Sequence, residues 1–222
     1  MIYVKKSEPA PACLEVEKQK KNGDYKCGDV LTHIHEDFRN KCYLCENKAP
    51  TTINVEHFQS HQGDKDLMFD WYNLFFSCGH CNNVKLHLYD DILNCTDIND
   101  RVDEWICYEI IESFPKEIPK LTALHDDIRV HKTVELLEKI YNGHTPLKKI
   151  EAGNLRQRIL EEVEHFRYLL KEYQREDLSE NYRTDLKNEI KRCLSPHASF
   201  TAFKKWIIRD NEMLYKDFSE SI

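Results

Sequence analysis

Cys42-Tyr-Leu-Cys45 and, after 32 intervening residues, Cys78-Gly-His-Cys81 are the stretches that decide how this chain folds. Each C-x-x-C turn presents two sulfurs to one centre, and two such turns make a tetrahedral four-thiolate set. That set suits zinc, a borderline-soft ion without geometric demands of its own. Because four thiolates leave no open coordination position, a zinc ion held by Cys42, Cys45, Cys78 and Cys81 is expected to brace the fold rather than do chemistry. Closing the loop also fixes the spacing of everything inside it.

Within the loop, Ile53-Asn-Val-Glu-His-Phe58 alternates as a strand does. The polar run Gln59 to Asp66, with Gly63, reads as a hairpin loop, and Phe69-Asp-Trp-Tyr-Asn-Leu-Phe-Phe76 as the returning segment. Cys81 to Tyr89 should then be helical. Upstream, Leu31, Ile34 and Phe38 share a helical face over Val30 to Arg39. The first 30 or so residues read as an extended arm with one short helix, since Pro9 and Pro11 precede Cys13 to Lys21 and Asn22-Gly23 ends it. From Ile92 to Leu124 the pattern is mixed, with a strand at Tyr108 to Ile111 and with Pro115 and Pro119 expected to break regular structure.

Beyond Arg129 the period becomes helical. Val134, Leu137, Ile140 and Tyr141 share a face until Asn142-Gly143, and Thr145-Pro146 is a cap and first-turn pair for the next helix. Further helices carry Tyr182, Leu186, Ile190 and Leu194, then Phe200, Phe203 and Trp206. The predicted class is α+β. Residues 1–40 form an arm and lead-in helix, 41–127 the zinc-braced module with a mixed segment, and 128–222 a mainly helical region.

With 41% hydrophobic and 32% charged residues the chain reads as globular. No apolar run approaches the roughly 18 residues of a membrane span, and the start has no secretory pattern, so the expectation is a cytoplasmic protein without membrane contact. Of nine cysteines, the five outside the two pairs (Cys13, Cys27, Cys95, Cys107 and Cys193) read as small buried apolar residues. A net charge of −7 has the wrong sign for holding nucleic acid by bulk electrostatics. Any grip must be local, from Lys18, Lys20, Lys21 and Lys26 near the start and Lys41, Lys48, Lys65 and Lys85 around the motif.

His57 is the candidate general base, because imidazole titrates near neutral pH and works as a base once one tautomer and orientation are fixed. Asn73, on the returning segment, has an amide suited to fixing that orientation. Glu56, on the other strand face, is read as free to bind a hard cation, and Asn82 after Cys81 can add a second oxygen ligand. Two protein oxygens and several waters describe Mg2+ or Mn2+ beside a phosphate.

The order V-E-H-F, W-Y-N-L, C-G-H-C-N-N-V-K over residues 41 to 89 resembles the HNH endonuclease family and its ββα-metal core. The resemblance implies hydrolysis of nucleic acid, DNA first among substrates. His57 would be the base, Asn73 the orienting residue, Glu56 and Asn82 the Mg2+ or Mn2+ ligands, and Lys85 a neighbour of the scissile phosphate. Glu56 stands where many members have Asp or His, and Asn82 where His is more frequent. The layout of arm, zinc-braced module and helical region with Lys132-Thr-Val-Glu-Leu-Leu-Glu-Lys139 is similar to the HNH subunit of Septu-type anti-phage defence systems and related retrons. That similarity implies an ATPase partner subunit. This chain has no phosphate-cradling loop of its own.

Two rival readings use the same residues: a non-catalytic zinc module that binds nucleic acid or protein, and a stand-alone restriction or housekeeping nuclease. The remaining histidines carry no pattern. His33 and His35 point to different helix faces, and His80 lies within a cysteine turn.

Overall fold

A computed structural model of the chain describes residues 1–113 and 116–222. Helices α1 (Cys13–Lys18) and α2 (Gly28–Asp37) come first, and a Cys13–Cys27 disulfide joins the start of one to the N-cap of the other. The reading of all five outlying cysteines as buried thiols is corrected here. Cys95 is buried, Cys107 and Cys193 are half-buried, and Cys13 and Cys27 are bonded. Nothing in their 14-residue separation distinguishes this pair from chance.

The first residues are not a free arm either. Met1, Ile2 and Val4 are buried, and the Val4 amide donates to the Cys95 carbonyl at 2.8 Å. The apolar run Met1-Ile-Tyr-Val4 supplies the side chains that it buries, all but Tyr3.

The hairpin between the cysteine pairs forms over β1 (Ile53–His57) and β2 (Leu74–Cys78), antiparallel, with Val55 opposite Phe76 and His57 opposite Leu74. All of β2 is buried, as an apolar run between two layers should be. The connection is more structured than a plain loop. Asp64 accepts hydrogen bonds from the amides of Asp66 and Leu67 and so starts α3 (Lys65–Met68), and Asp70 accepts from Tyr72 at the next turn. Helix α4 (Gly79–Lys85) begins directly at the end of β2, with Cys78 as its N-cap, and packs against both strands. It is shorter than expected: Leu86, at φ 49°, breaks it before Tyr89.

A second antiparallel pair, β3 (Ile106–Ser113) and β4 (Lys116–Ala123), follows. Pro119 does not break it. It sits opposite Ile110 in a sheet of two strands, where each strand has an unpaired edge that tolerates a residue without an N–H. Pro115 lies outside the described residues.

The helical region runs as α5 (Ile128–Asn142), α6 (Pro146–Tyr173), α7 (Glu180–Leu194), α8 (Thr201–Arg209) and α9 (Glu212–Phe218). The α5–α6 junction follows from its residues. Gly143 has φ +70° and a Cβ there would meet the Lys149 amide at 2.6 Å, while the Thr145 hydroxyl caps α6 by accepting from the Lys148 amide.

Two apolar clusters result. The larger takes residues from all three stretches of the chain: Met1 and Val4, the knuckle and hairpin, Tyr108, Leu137, Ile140, Ile159 and Phe203. The smaller gathers Phe166, Leu170, Ile190, Leu194, Ile208 and Phe218 from the far half of α6 and helices α7 to α9. Among the described residues no helix is long and apolar enough to cross a membrane.

Candidate metal centre and the adjoining hairpin

Cys42 and Cys45 reach the centre from a knuckle in which the Glu46 amide donates to the Cys42 carbonyl at 2.9 Å and the Cys42 amide donates to Asn47 at 3.1 Å. A bridge between Lys41 and Lys48 closes the knuckle. Cys78 and Cys81 arrive on the last residue of β2 and the first turn of α4. All four thiols are buried, and their sulfurs lie within 4.8 Å of one another. Tetrahedral zinc with Zn–S bonds of about 2.3 Å requires sulfurs about 3.8 Å apart, and the Cys45 to Cys78 separation is 3.9 Å. Burial pushes the Cys45 and Cys81 thiols up. Four buried thiolates without a cation would be costly, so the donor set and its spacing both fit a zinc ion.

Two residues beside the knuckle are tied to distant parts of the chain. Glu46 is buried and pairs with the Met1 ammonium at 3.1 Å and with Lys41 at 3.6 Å. It also accepts from the Thr201 and Ala202 amides at 2.9 and 3.3 Å, capping α8, whose own N-cap Phe200 supplies no side-chain acceptor. Burial pushes the Glu46 carboxyl up, but the Met1 ammonium and Lys41 outweigh it and hold the group below its usual range. On the other side, His80 shares its Nδ1 with Glu151 at 2.7 Å and donates from Nε2 to the Ile140 carbonyl at 2.8 Å. A histidine without sequence pattern thus ties the second cysteine turn to α5 and α6.

His57 closes β1 and is half-buried. Its Nε2 lies 3.0 Å from the Met68 carbonyl. A carbonyl only accepts, so Nε2 carries the proton and Nδ1 keeps its lone pair. Burial pushes the imidazole below its usual value despite the Met68 bond, and Lys26 and Lys85 add to the effect. The ring is flanked by Tyr25 at 4.5 Å and His61 at 4.6 Å between centroids. Neither His61 nor Tyr25 was singled out in the sequence.

The expected role of Asn73 is corrected. Its amide does not hold His57 directly. Nδ2 donates to the Gln59 and Leu67 carbonyls at 2.9 and 3.0 Å, and Oδ1 accepts from the Gln59 amide at 2.7 Å. It staples the connection closed, and through Leu67 it steadies the neighbouring Met68 carbonyl that orients the imidazole.

Glu56 is not free, as its place on the opposite strand face suggested. It is 7% exposed, and Oε1 lies 3.2 Å from the Lys85 ammonium. Its Oε2 is buried with no hydrogen-bond partner. Burial pushes the carboxyl up, with Lys85 and Ser77 opposing. Asn82, half-buried, lies one turn before Lys85 on α4.

Lys85 departs furthest from expectation. Its side chain is 1% exposed and donates to the Phe58 and His57 carbonyls at 2.8 and 3.3 Å. Its ammonium is spent on internal partners rather than turned to a phosphate. Lys41 is likewise buried against Glu46 and the Ala198 carbonyl. Lys18 and Lys20 pair with Asp66 and Glu17, Lys65 caps the Lys18 and Lys20 carbonyls, and Lys48 reaches His197. Lys21 and Lys26 are exposed, and the Lys26 ammonium lies 5.3 Å over the Tyr25 ring beside His57.

Lys6 belongs to this region although no pattern marked it. Its ammonium sits 3.7 Å from the Trp71 ring centroid and donates to the Trp71 and Leu74 carbonyls, the latter at 2.6 Å. Burial pushes it down to about 7.

Compared with family models, curated proteins and solved structures, the chain matches none of them.

Proposed function

We propose that this chain is a metal-dependent endonuclease of HNH type, hydrolysing phosphodiester bonds of DNA as the effector of an anti-phage complex with an ATPase partner. The observation that carries the reading is His57. One ring nitrogen is committed to a main-chain carbonyl, the other keeps a lone pair, and burial favours the neutral form. That is the state a general base needs at neutral pH.

The partnerless, buried Oε2 of Glu56, one residue away, is an oxygen that a cation would take up, and Asn82 could supply a second. When bound by these two, Mg2+ or Mn2+ would supply charge stabilisation for the phosphoryl oxygens and the leaving group. His57 Nδ1 takes the proton of the attacking water. Asn73 and the Met68 carbonyl keep the imidazole from turning, and Lys26 adds positive charge on the same side. The family likeness implies a 3′-hydroxyl and a 5′-phosphate.

The test is plasmid nicking with Mg2+ or Mn2+ by the wild type and His57→Ala. The variant should fold and retain zinc but cut about 10²- to 10⁴-fold more slowly. Activity should also decline on the acid side as His57 takes up a proton. Equal nicking by the two proteins rejects His57 as the base.

The Lys85 to Glu56 pair supports a second reading, a zinc module that binds without cutting, because the ammonium already neutralises the carboxylate from inside. A wild type that retains zinc and binds DNA but never cuts it belongs to that reading. For the ATPase partner, Tyr168, Tyr182 and Tyr215 are large exposed apolar residues on the distal helices. Their replacement by Ser should abolish co-purification with the ATPase if docking lies there.

A further inference from the structure

Outside the four-cysteine centre, one other group of unlike donor atoms converges. His165 projects from α6, and Glu189 and Cys193, one helical turn apart on α7, face it. One ligating atom from each lies within 4.8 Å of the other two. We propose that His165, Glu189 and Cys193 form a second metal site, for Zn2+ or a similar borderline-soft divalent ion, clamping α7 to α6.

The donor set selects the ion. A thiolate disfavours Mg2+ and Ca2+, an imidazole suits zinc, cobalt and nickel, and a single carboxylate oxygen completes a three-ligand set. Three protein ligands leave a fourth position for water, unlike the closed centre at Cys42. The setting permits a metal: Cys193 is a free thiol, half-buried against the smaller apolar cluster, and His165 is exposed at the rim of a groove that Arg158, Glu161 and Glu162 also line. Lys204 is already neutralised by Glu162 at 2.6 Å, so its buried ammonium does not stand as an uncompensated charge beside the ion. The competitor for Glu189 is Arg192, in contact with the carboxylate; its side chain is 72% exposed and can swing into solvent.

The placement suits the fold. The buried residues of the far half of α6 and of α7 belong to the smaller cluster, which includes none of the four thiols. An ion here would give the distal helices a clamp of their own.

The experiment uses the full chain with zinc already in the four-cysteine centre, titrated with Co2+ and followed by visible absorption and by metal content after gel filtration. Wild type should bind a further equivalent that develops a thiolate-to-cobalt band, a signature that the oxygen ligands of Glu56 and Asn82 cannot give. His165→Ala, at an exposed position where folding is not at stake, should weaken that binding by more than about tenfold. Cys193→Ser should lose the band while keeping its zinc. Identical cobalt stoichiometry and spectra in all three proteins overturn the proposal, as does a wild type that takes up no second ion.

Discussion

The hairpin region and the distal helices of this chain are stabilised by different means. Around Cys42 the chain gathers charges and donors that are costly to bury: four thiols, Glu46, Glu56, Lys6, Lys41 and Lys85, with Glu46, Lys6, Lys41 and Lys85 each held by specific partners and Glu56 held through one of its two oxygens. Around Phe166 the helices bury aliphatic and aromatic faces at helical period. The first arrangement is exact about geometry and has the donor set for an ion; the second tolerates changes of surface and depends on volume.

Removing the metal should separate the two most sharply. Structural zinc in four-ligand modules is worth on the order of 10 kcal/mol of folding free energy. Prolonged chelation, or Cys45→Ser, should therefore let a protease cut within residues 41–85 well before it cuts within α7 to α9. Simultaneous cutting in both regions would show that one cooperative unit embraces them.

Phe166→Ala addresses the other side. The residue is fully buried, and such a truncation costs about 3–5 kcal/mol. Denaturant unfolding should show that loss while zinc content is unchanged, and a loss of zinc would break the distinction.

Lys6→Met has a pH-dependent effect. The folded ammonium is held near 7 and the unfolded one near the usual 10.5. Between those values the unfolded chain binds the extra proton, so stability from this group rises with pH. Wild type should gain on the variant from about pH 7 to pH 10, in the hairpin transition alone. A flat difference across that window removes Lys6 from the account. The smallest effect expected is that of Thr145→Ala, about 1 kcal/mol from the lost cap of α6, read in thermal unfolding.

What could be read in the sequence follows the same division. Periodicity and caps gave α5 through α8 because those signals are local: Asn142-Gly143 ends a helix and Thr145-Pro146 begins one in any context. Two C-x-x-C turns gave the thiolate cluster because ligand spacing is local as well. The partners of buried charges were not legible. Lys85 looks like any lysine on a short helix until Phe58 and Glu56 surround it, and Asn73 reaches His57 only through the main chain of a third segment. Pro119 was misread because a proline announces a missing donor but not whether the strand has an unpaired edge to lose it from. His165, Glu189 and Cys193 meet across two helices, beyond any motif.

Glu46 carries a consequence for the order of synthesis. A chain growing from the ribosome has all four thiols available once residue 81 has emerged. The acid next to Cys45, however, lacks two of its partners until Thr201 and Ala202 arrive, 155 and 156 residues after it. Until then the nascent knuckle holds a half-answered carboxylate at what becomes the middle of the protein. The four-cysteine turns can close early, yet the hydrogen bonds around Glu46 are complete only when the start of α8 docks.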